Sequence, residues 1–197
     1  MRTLESQETT DTVLAKIAWL SSQDPNRVFH SLMHHINEGS LRGCFEKLNG
    51  KKAIGADKIS KDIYGNDLQA NLEDLIERMK RMAYRPGPVR QVLIPKEGKP
   101  GATRPLGISN FEDKLVQKRV QEILESIYDP IFLDRSYGFR PGKSCHDAIK
   151  DLHNYLYNEE VEMVIDVDLA NFFGTIDHAI LSDLLKKKIK EKFKNRL

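Results

Sequence analysis

The chain has 197 residues, with 31 Lys and Arg against 29 Asp and Glu, a formal charge of +2 and 40% apolar residues. That composition supports a core and excludes a wholly disordered, one-signed chain. No apolar run approaches the roughly 20 residues needed to cross a bilayer, and the start, MRTLESQETTDTV, has no apolar stretch fit for cleavage as a signal peptide.

From Thr10 to Leu20, residues Val13, Leu14, Ile17, Ala18 and Leu20 recur at helical spacing, and after the polar SSQDPN break a second helix is expected from Asn26 through His30–Ile36. His30 and His34 would share a face of that helix. The acids nearby complete no zinc pattern, so core, surface or RNA-contact roles come ahead of metal. A third helix, beginning near Gly39, ends at the basic loop NGKKAIGADK, which carries Lys51, Lys52 and Lys58. A longer helix is expected from about Gly65 to Met82, on the apolar stripe Leu68, Leu72, Leu75, Ile76 and Met79, until Pro86 and Pro88 stop it.

VRQVLI then alternates as a strand, PKEGKPGAT supplies a turn-rich tip, and RPLGI reads as the returning strand of a hairpin. Across residues 80–104, Lys80, Arg81, Arg85, Arg90, Lys96, Lys99 and Arg104 face Glu97 as the one acid. Such a stretch suits phosphate, or it is a solvated helix end followed by a loop. A helix from Glu112 to Ile127 follows on Leu115, Val116, Val120, Ile123, Leu124 and Ile127, then a compact and mostly extended SYGFRPG segment, then a helix from Cys145 to Tyr157. Cys44 and Cys145 form neither a disulfide framework nor a CxxC pair, so packing roles in a reducing compartment are expected for both.

VEMVIDVDL has strand character and leads into NFFGTIDH, after which Ala179–Ile189 returns to helical periodicity. The tail KKKIKEKFKNRL holds seven basic groups and one acid, which leaves 24 basic against 28 acidic groups in residues 1–185. The near-neutral total therefore hides two basic segments in a mildly acidic chain. On the expected strand, Asp166 and Asp168 are two apart and share one face. That spacing suits a metal carboxylate, since magnesium takes hard oxygens and keeps water and substrate phosphate oxygens in its shell. On spacing alone, capping or salt-bridged acids at a strand end are the favoured reading.

Four phrases occur in an order that narrows these alternatives: GKKAIGADKIS, YRPGPVRQVLIPKEGKPGATRPLGI, SYGFRPGKSCHDAI and MVIDVDLANFFGTIDH. Together they resemble group II intron reverse transcriptases, also called intron-encoded maturases, over roughly residues 25–185. The resemblance implies an α+β, right-hand polymerase-like fold, mostly helical, with a fingers β-hairpin and a palm strand. Residues 1–110 would form the N-terminal extension and fingers, and 111–197 the remaining fingers and a partial palm, truncated before a paired-aspartate motif. By the same resemblance Asp168 is the first catalytic metal ligand and the Leu169 carbonyl a further metal contact. Arg90, Lys96 and Arg104 would close around an incoming triphosphate, and Ile108 would pack near the templating base. Arg140 would organise the nucleotide pocket or form a buried ion pair. Phe173 would lie beneath the incoming sugar or serve as a core aromatic.

The implied cofactor is magnesium. The implied partners are structured group II intron RNA, an RNA template with DNA primer, and deoxynucleoside triphosphates (dNTPs). Lys51, Lys52 and Lys58 would touch RNA. An intracellular, cytoplasmic ribonucleoprotein without a membrane is expected, as is pairing with a second copy through helix faces. Gln91, Ala170 and Gly174 depart from the residues many relatives carry there, a basic group at the first two and an acid at the third, which bears on local pocket geometry. No tyrosine-x-aspartate-aspartate motif occurs in the sequence. The 197 residues alone are therefore expected to be an inactive fragment of an RNA-directed DNA polymerase, or else a catalytically inactive RNA-binding module that assists intron folding and splicing.

Overall fold

The computed structural model describes residues 10–98 and 101–190. The expected hairpin tip at Lys99 and Pro100, and the tail from residue 191 onward, lie outside the described residues. In chain order the elements are α1 (Thr10–Gln23), β1 (Phe29–His30), a 3-10 turn (Leu32–His35), α2 (Glu38–Lys47), α3 (Lys61–Gly65), α4 (Leu68–Lys80), β2 (Arg90–Pro95), β3 (Thr103–Ile108) and α5 (Phe111–Tyr128). A second 3-10 turn (Asp129–Ile131), α6 (Cys145–Asn158), α7 (Phe172–Thr175), α8 (His178–Lys188) and β4 (Ile189–Lys190) complete the order. Among the described residues, no helix is long and apolar enough to cross a membrane.

The described residues divide into two compact units, one including residues 10–14 and 32–125 and the other 15–31 and 126–190. In the first, α2 starts where Asn37 and Ser40 cap one another. The Asn37 side chain accepts from the Ser40 N–H at 3.0 Å, and the Ser40 hydroxyl accepts from the Asn37 N–H at 3.0 Å. Helix α3 starts on Ser60, whose hydroxyl accepts from the Ile63 N–H at 3.2 Å. The apolar stripes converge on a core of Leu41, Cys44, Tyr64, Leu72, Leu75, Phe111, Leu115 and Val116. Phe111 anchors it, edge-on to Phe45 at 5.8 Å and tilted against Tyr64 at 5.3 Å. Arg78 and Glu112 brace the rim of this core with paired bonds of 3.0 and 2.7 Å.

The hairpin emerges from the same unit. Strands β2 and β3 run antiparallel in the register Arg90↔Ile108, Val92↔Leu106 and Ile94↔Arg104, and the bond from the Lys96 N–H to the Ala102 carbonyl at 2.9 Å carries the ladder one residue further.

The second unit holds α6 and α8, and pairs β1 with β4 in parallel, Phe29 against Ile189 and His30 against Lys190. The structure corrects three expectations. The helix expected from Asn26 through Ile36 is a two-residue strand and a 3-10 turn instead. Ser31 lies between them with φ +57, in the left-handed region, which an α-helix cannot contain. VEMVIDVDL forms no strand: its side chains alternate, but no described segment lies beside it to complete a ladder, and Met163, Ile165, Val167 and Leu169 are exposed. SYGFRPG is a chain of turns, with Phe139 at φ +56 and Gly142 at φ +69.

Candidate functional site

In an antiparallel ladder, directly opposite residues share a face, and along each strand so does every second residue. The observed register therefore sets Arg90, Val92, Ile94 and Lys96 of one leg on the same face as Ala102, Arg104, Leu106 and Ile108 of the other. Arg90, Lys96 and Arg104 are exposed, and none forms an ion pair with a described residue. Ile108 is buried at the hairpin root. The structure thus brings the four expected hairpin residues onto one face, three cations that form no ion pair among the described residues and the buried Ile108 opposite Arg90.

Gly107 lies in this ladder at a close approach: a Cβ there would stand 2.9 Å from Val89 Cγ1. The hairpin root is fixed by the first turn of α5. Asp113 accepts from the Gly87 N–H at 3.0 Å and from the Tyr84 hydroxyl at 2.5 Å. Burial, followed by the bond to Asp113, raises the Tyr84 phenol above its ordinary range, so the group stays a neutral donor.

Lys51, Lys52 and Lys58 are exposed on the loop between α2 and α3. Two other lysines fasten that loop. Lys61 Nζ donates to the Leu48 carbonyl at 2.7 Å and to the Glu46 carbonyl at 3.2 Å, and Lys114 Nζ donates to the Ala53 carbonyl at 2.7 Å. Asn110 adds a third tie, its Oδ1 accepting from the N–H groups of Ala56 at 3.0 Å and Asp57 at 3.3 Å. Sequence reasoning did not single out Asn110, Asp113 or Lys114. The available signal was weak, because an Asn just before a helix reads as an ordinary cap.

In the second unit Asp166 and Asp168 are exposed and make no ion pair among the described residues. The capping or salt-bridge reading of this pair therefore has no partner there. Asp168 and the adjacent Leu169 carbonyl offer hard oxygens of the kind magnesium takes while keeping water and phosphate oxygens. The described residues hold no cluster of three His, Cys, Asp or Glu side chains. Asn171 follows with φ +49 and opens α7. Phe173 is 81% exposed and packs edge-on to Phe172 at 5.3 Å, which removes its reading as a core aromatic. A Cβ on Gly174 would meet only the far end of the Asn171 side chain, at 2.5 Å from Nδ2. The departure at Gly174 thus leaves Asn171 its place.

Arg140 is 10% exposed. Its Nε donates to Asp129 Oδ1 at 2.7 Å, and its terminal nitrogens donate to the carbonyls of Leu133 at 2.8 Å, Ser136 at 2.9 Å and Asp129 at 3.1 Å. Its guanidinium also lies over the Phe132 ring at 5.4 Å. All of these bonds run to residues 129–136 and none to the 166–173 segment. His30 lies in β1 and His34 in the 3-10 turn, so they share no helix face. Cys44 is buried as expected, whereas Cys145 is exposed at the start of α6, where it packs into no core.

Comparison with known proteins gives the same direction. Residues 94–195 match the family described as "Reverse transcriptase (RNA-dependent DNA polymerase)". The chain is 33% identical over 183 residues to "Group II intron-encoded protein LtrA" of Lactococcus lactis subsp. cremoris, covering 92% of this chain and 30% of that protein. It is 29% identical over 183 residues to "Protein YkfC" of Escherichia coli (strain K12), covering 89% and 48% respectively. To "Putative COX1/OXI3 intron 2 protein" of Saccharomyces cerevisiae it is 36% identical over 152 residues, or 76% of this chain and 17% of that protein. The chain thus spans less than half the length of each.

Proposed function

This chain belongs to the reverse transcriptase (RNA-dependent DNA polymerase) family, and from that premise we propose that it supplies the fingers and first palm segment of a group II intron-encoded enzyme that copies RNA into DNA. The observation that supports this most is the hairpin register, which aligns Arg90, Lys96 and Arg104 on one face with no competing ion pair among the described residues. Three cations on one face, two on the β2 leg and one on β3, suit phosphate charge: each arginine offers a planar donor fork, and the lysine a compact charge.

In this reading residues 1–110 serve as N-terminal extension and fingers and 111–197 as remaining fingers and partial palm. Ile108 packs beneath the templating base, and Phe173 lies under the sugar of the incoming nucleotide. Arg140 organises the nucleotide pocket through the bonds that hold residues 129–136. Asp168 and the Leu169 carbonyl would hold magnesium, which would supply positive charge against the phosphates. The substrates are dNTPs on an RNA template with a DNA primer, within an intracellular ribonucleoprotein. The 197 residues alone bind without polymerising, because one aspartate and one carbonyl cannot hold two ions about 3.5–4 Å apart. Metal-dependent primer extension by the 197-residue chain would overturn that last point.

A second reading, RNA binding in support of intron folding and splicing, is favoured by one observation. Lys61 and Lys114 are occupied at the Leu48 and Ala53 carbonyls, while Lys51, Lys52 and Lys58 stay exposed on the same loop between α2 and α3. Binding to structured group II intron RNA and to an unrelated duplex, measured across a salt series, tests it. Preference for the intron RNA supports the reading, and equal binding to both argues against specific recognition.

A further inference from the structure

Asn110 stands immediately before α5, and its carbonyl accepts the first helical bond, from the Lys114 N–H at 3.1 Å. An asparagine in that place ordinarily turns its side chain onto the N–H groups of its own helix. Here it turns away. Its Oδ1 takes two N–H groups of the 49–58 loop, at Ala56 and Asp57, and the residue is 9% exposed.

Two glycines in separate loops leave it room. A Cβ on Gly55 would lie 2.5 Å from Asn110 Oδ1 and 2.6 Å from its Cα, and a Cβ on Gly87 would lie 2.2 Å from its Nδ2. Gly87 is three residues before Arg90, where β2 begins, and Asn110 is two residues after Ile108, where β3 ends. One buried amide is thus wedged between the lysine-bearing loop and both legs of the cation-bearing hairpin.

We propose that Asn110 is a positioning residue that couples the 49–58 loop to the β2–β3 hairpin, so that the lysines on the one and the cations on the other are carried as a single rigid piece. Its meaning for polymerisation rests on the reading above, in which the loop faces RNA and the hairpin faces the nucleotide. The coupling itself is a property of this chain. Asp113 assists it from one turn further along α5, through the Gly87 N–H. Asn110→Ala leaves two loop N–H groups without their acceptor, whereas Asn110→Asp keeps an acceptor oxygen in the same place.

The test is residue-resolved amide hydrogen exchange on the 197-residue chain as wild type, Asn110→Ala, Asn110→Asp and Gly87→Ala. In Asn110→Ala, exchange should quicken on the order of tenfold at Ala56 and Asp57 and also along the hairpin ladder at Val92, Ile94 and Lys96. Amides of Leu72 and Leu75 in the core should hold their wild-type rates, and Asn110→Asp should restore most of the protection. Gly87→Ala, which pushes on the same amide from the hairpin side, should quicken exchange at Ala56 and Asp57. Unchanged hairpin exchange after the loop is released, or equal acceleration of loop, hairpin and core, would overturn the proposal. Binding of inorganic tripolyphosphate to the wild-type chain, measured in parallel, judges the nucleotide reading separately: its absence would contradict that reading and leave the exchange result to decide the coupling.

Discussion

Arg140 Nε donates to Asp129 Oδ1 at 2.7 Å, and this ion pair closes a turn in which three backbone carbonyls of residues 129–136 accept from the same guanidinium. Four of the five N–H groups of the side chain are engaged there. Arg140→Lys keeps the charge and can remake only part of the set. It should destabilise the chain by about 2 kcal/mol, the scale of hydrogen bonds to a charged group. Urea unfolding measures this, and an unchanged midpoint would show that the four bonds contribute nothing net.

The two cysteines should differ sharply in reactivity. Burial, and then the nearby Glu122 carboxylate, push the Cys44 thiol up to about 11, which leaves little thiolate near neutral pH. Cys145 is exposed. Maleimide at pH 7.5 should modify one thiol per native chain and two in urea, and mass spectrometry should place the native adduct on Cys145. Rapid modification of Cys44 in the native chain would contradict its burial.

Alkaline stability should depend on two phenols. Tyr64 and Tyr84 are both raised above their ordinary value of 10.0, first by burial and then by the carboxylates of Glu112 and Asp113 respectively. A group with a raised folded pKa contributes stability that is complete below its unfolded pKa and is lost as pH rises through the folded one. The chain should therefore weaken progressively above about pH 10. Tyr84→Phe should flatten that decline, while losing the bond to Asp113 at neutral pH. Thermal midpoints from pH 8 to 11 check the sign, and identical slopes for wild type and Tyr84→Phe would contradict it.

On the acid side, Asp147 is lowered by its bonds from the Ser144 hydroxyl, at 2.6 Å, and the Ser144 N–H, at 2.9 Å. A lowered folded pKa contributes stability above the unfolded carboxylate value that disappears as pH falls through the folded one. Helix α6 should fray as Asp147 is protonated. Ser144→Ala should remove about 1 kcal/mol through the lost cap, together with part of that pH dependence. Amide chemical shifts of residues 145–148 across an acid titration test both points.

Much of the fold was legible because it is written in local periodicity. The stripe of Leu68, Leu72 and Leu75 marks α4, the run from Leu115 to Ile127 marks α5, and VRQVLI and RPLGI on either side of a turn mark the hairpin. The shared face of Arg90, Lys96, Arg104 and Ile108 follows from strand alternation once the pairing is known. The parts that were missed depend on distant partners. Phe29 and His30 are a strand only through Ile189 and Lys190, and two residues carry no period of their own. Residues 161–169 alternate as a strand should, yet a ladder needs a neighbour as well as a pattern. Asn110 was invisible for a similar reason, since its role lies in which loop it grasps and its residue type suggests a local cap. The phrases around Asp168 and Phe173 pointed to chemistry well beyond what spacing alone supports.

The proposed role of the hairpin face requires that it hold a triphosphate. Photo-cross-linking of an azido-deoxynucleoside triphosphate to the 197-residue chain in magnesium, with tripolyphosphate as competitor, measures this. We expect saturable labelling that tripolyphosphate displaces, with affinity reduced at least about tenfold in Lys96→Ala/Arg104→Ala and unchanged in Lys80→Ala, a basic residue at the end of α4. Equal affinity for wild type and the double variant would contradict the assignment of this face to the incoming nucleotide.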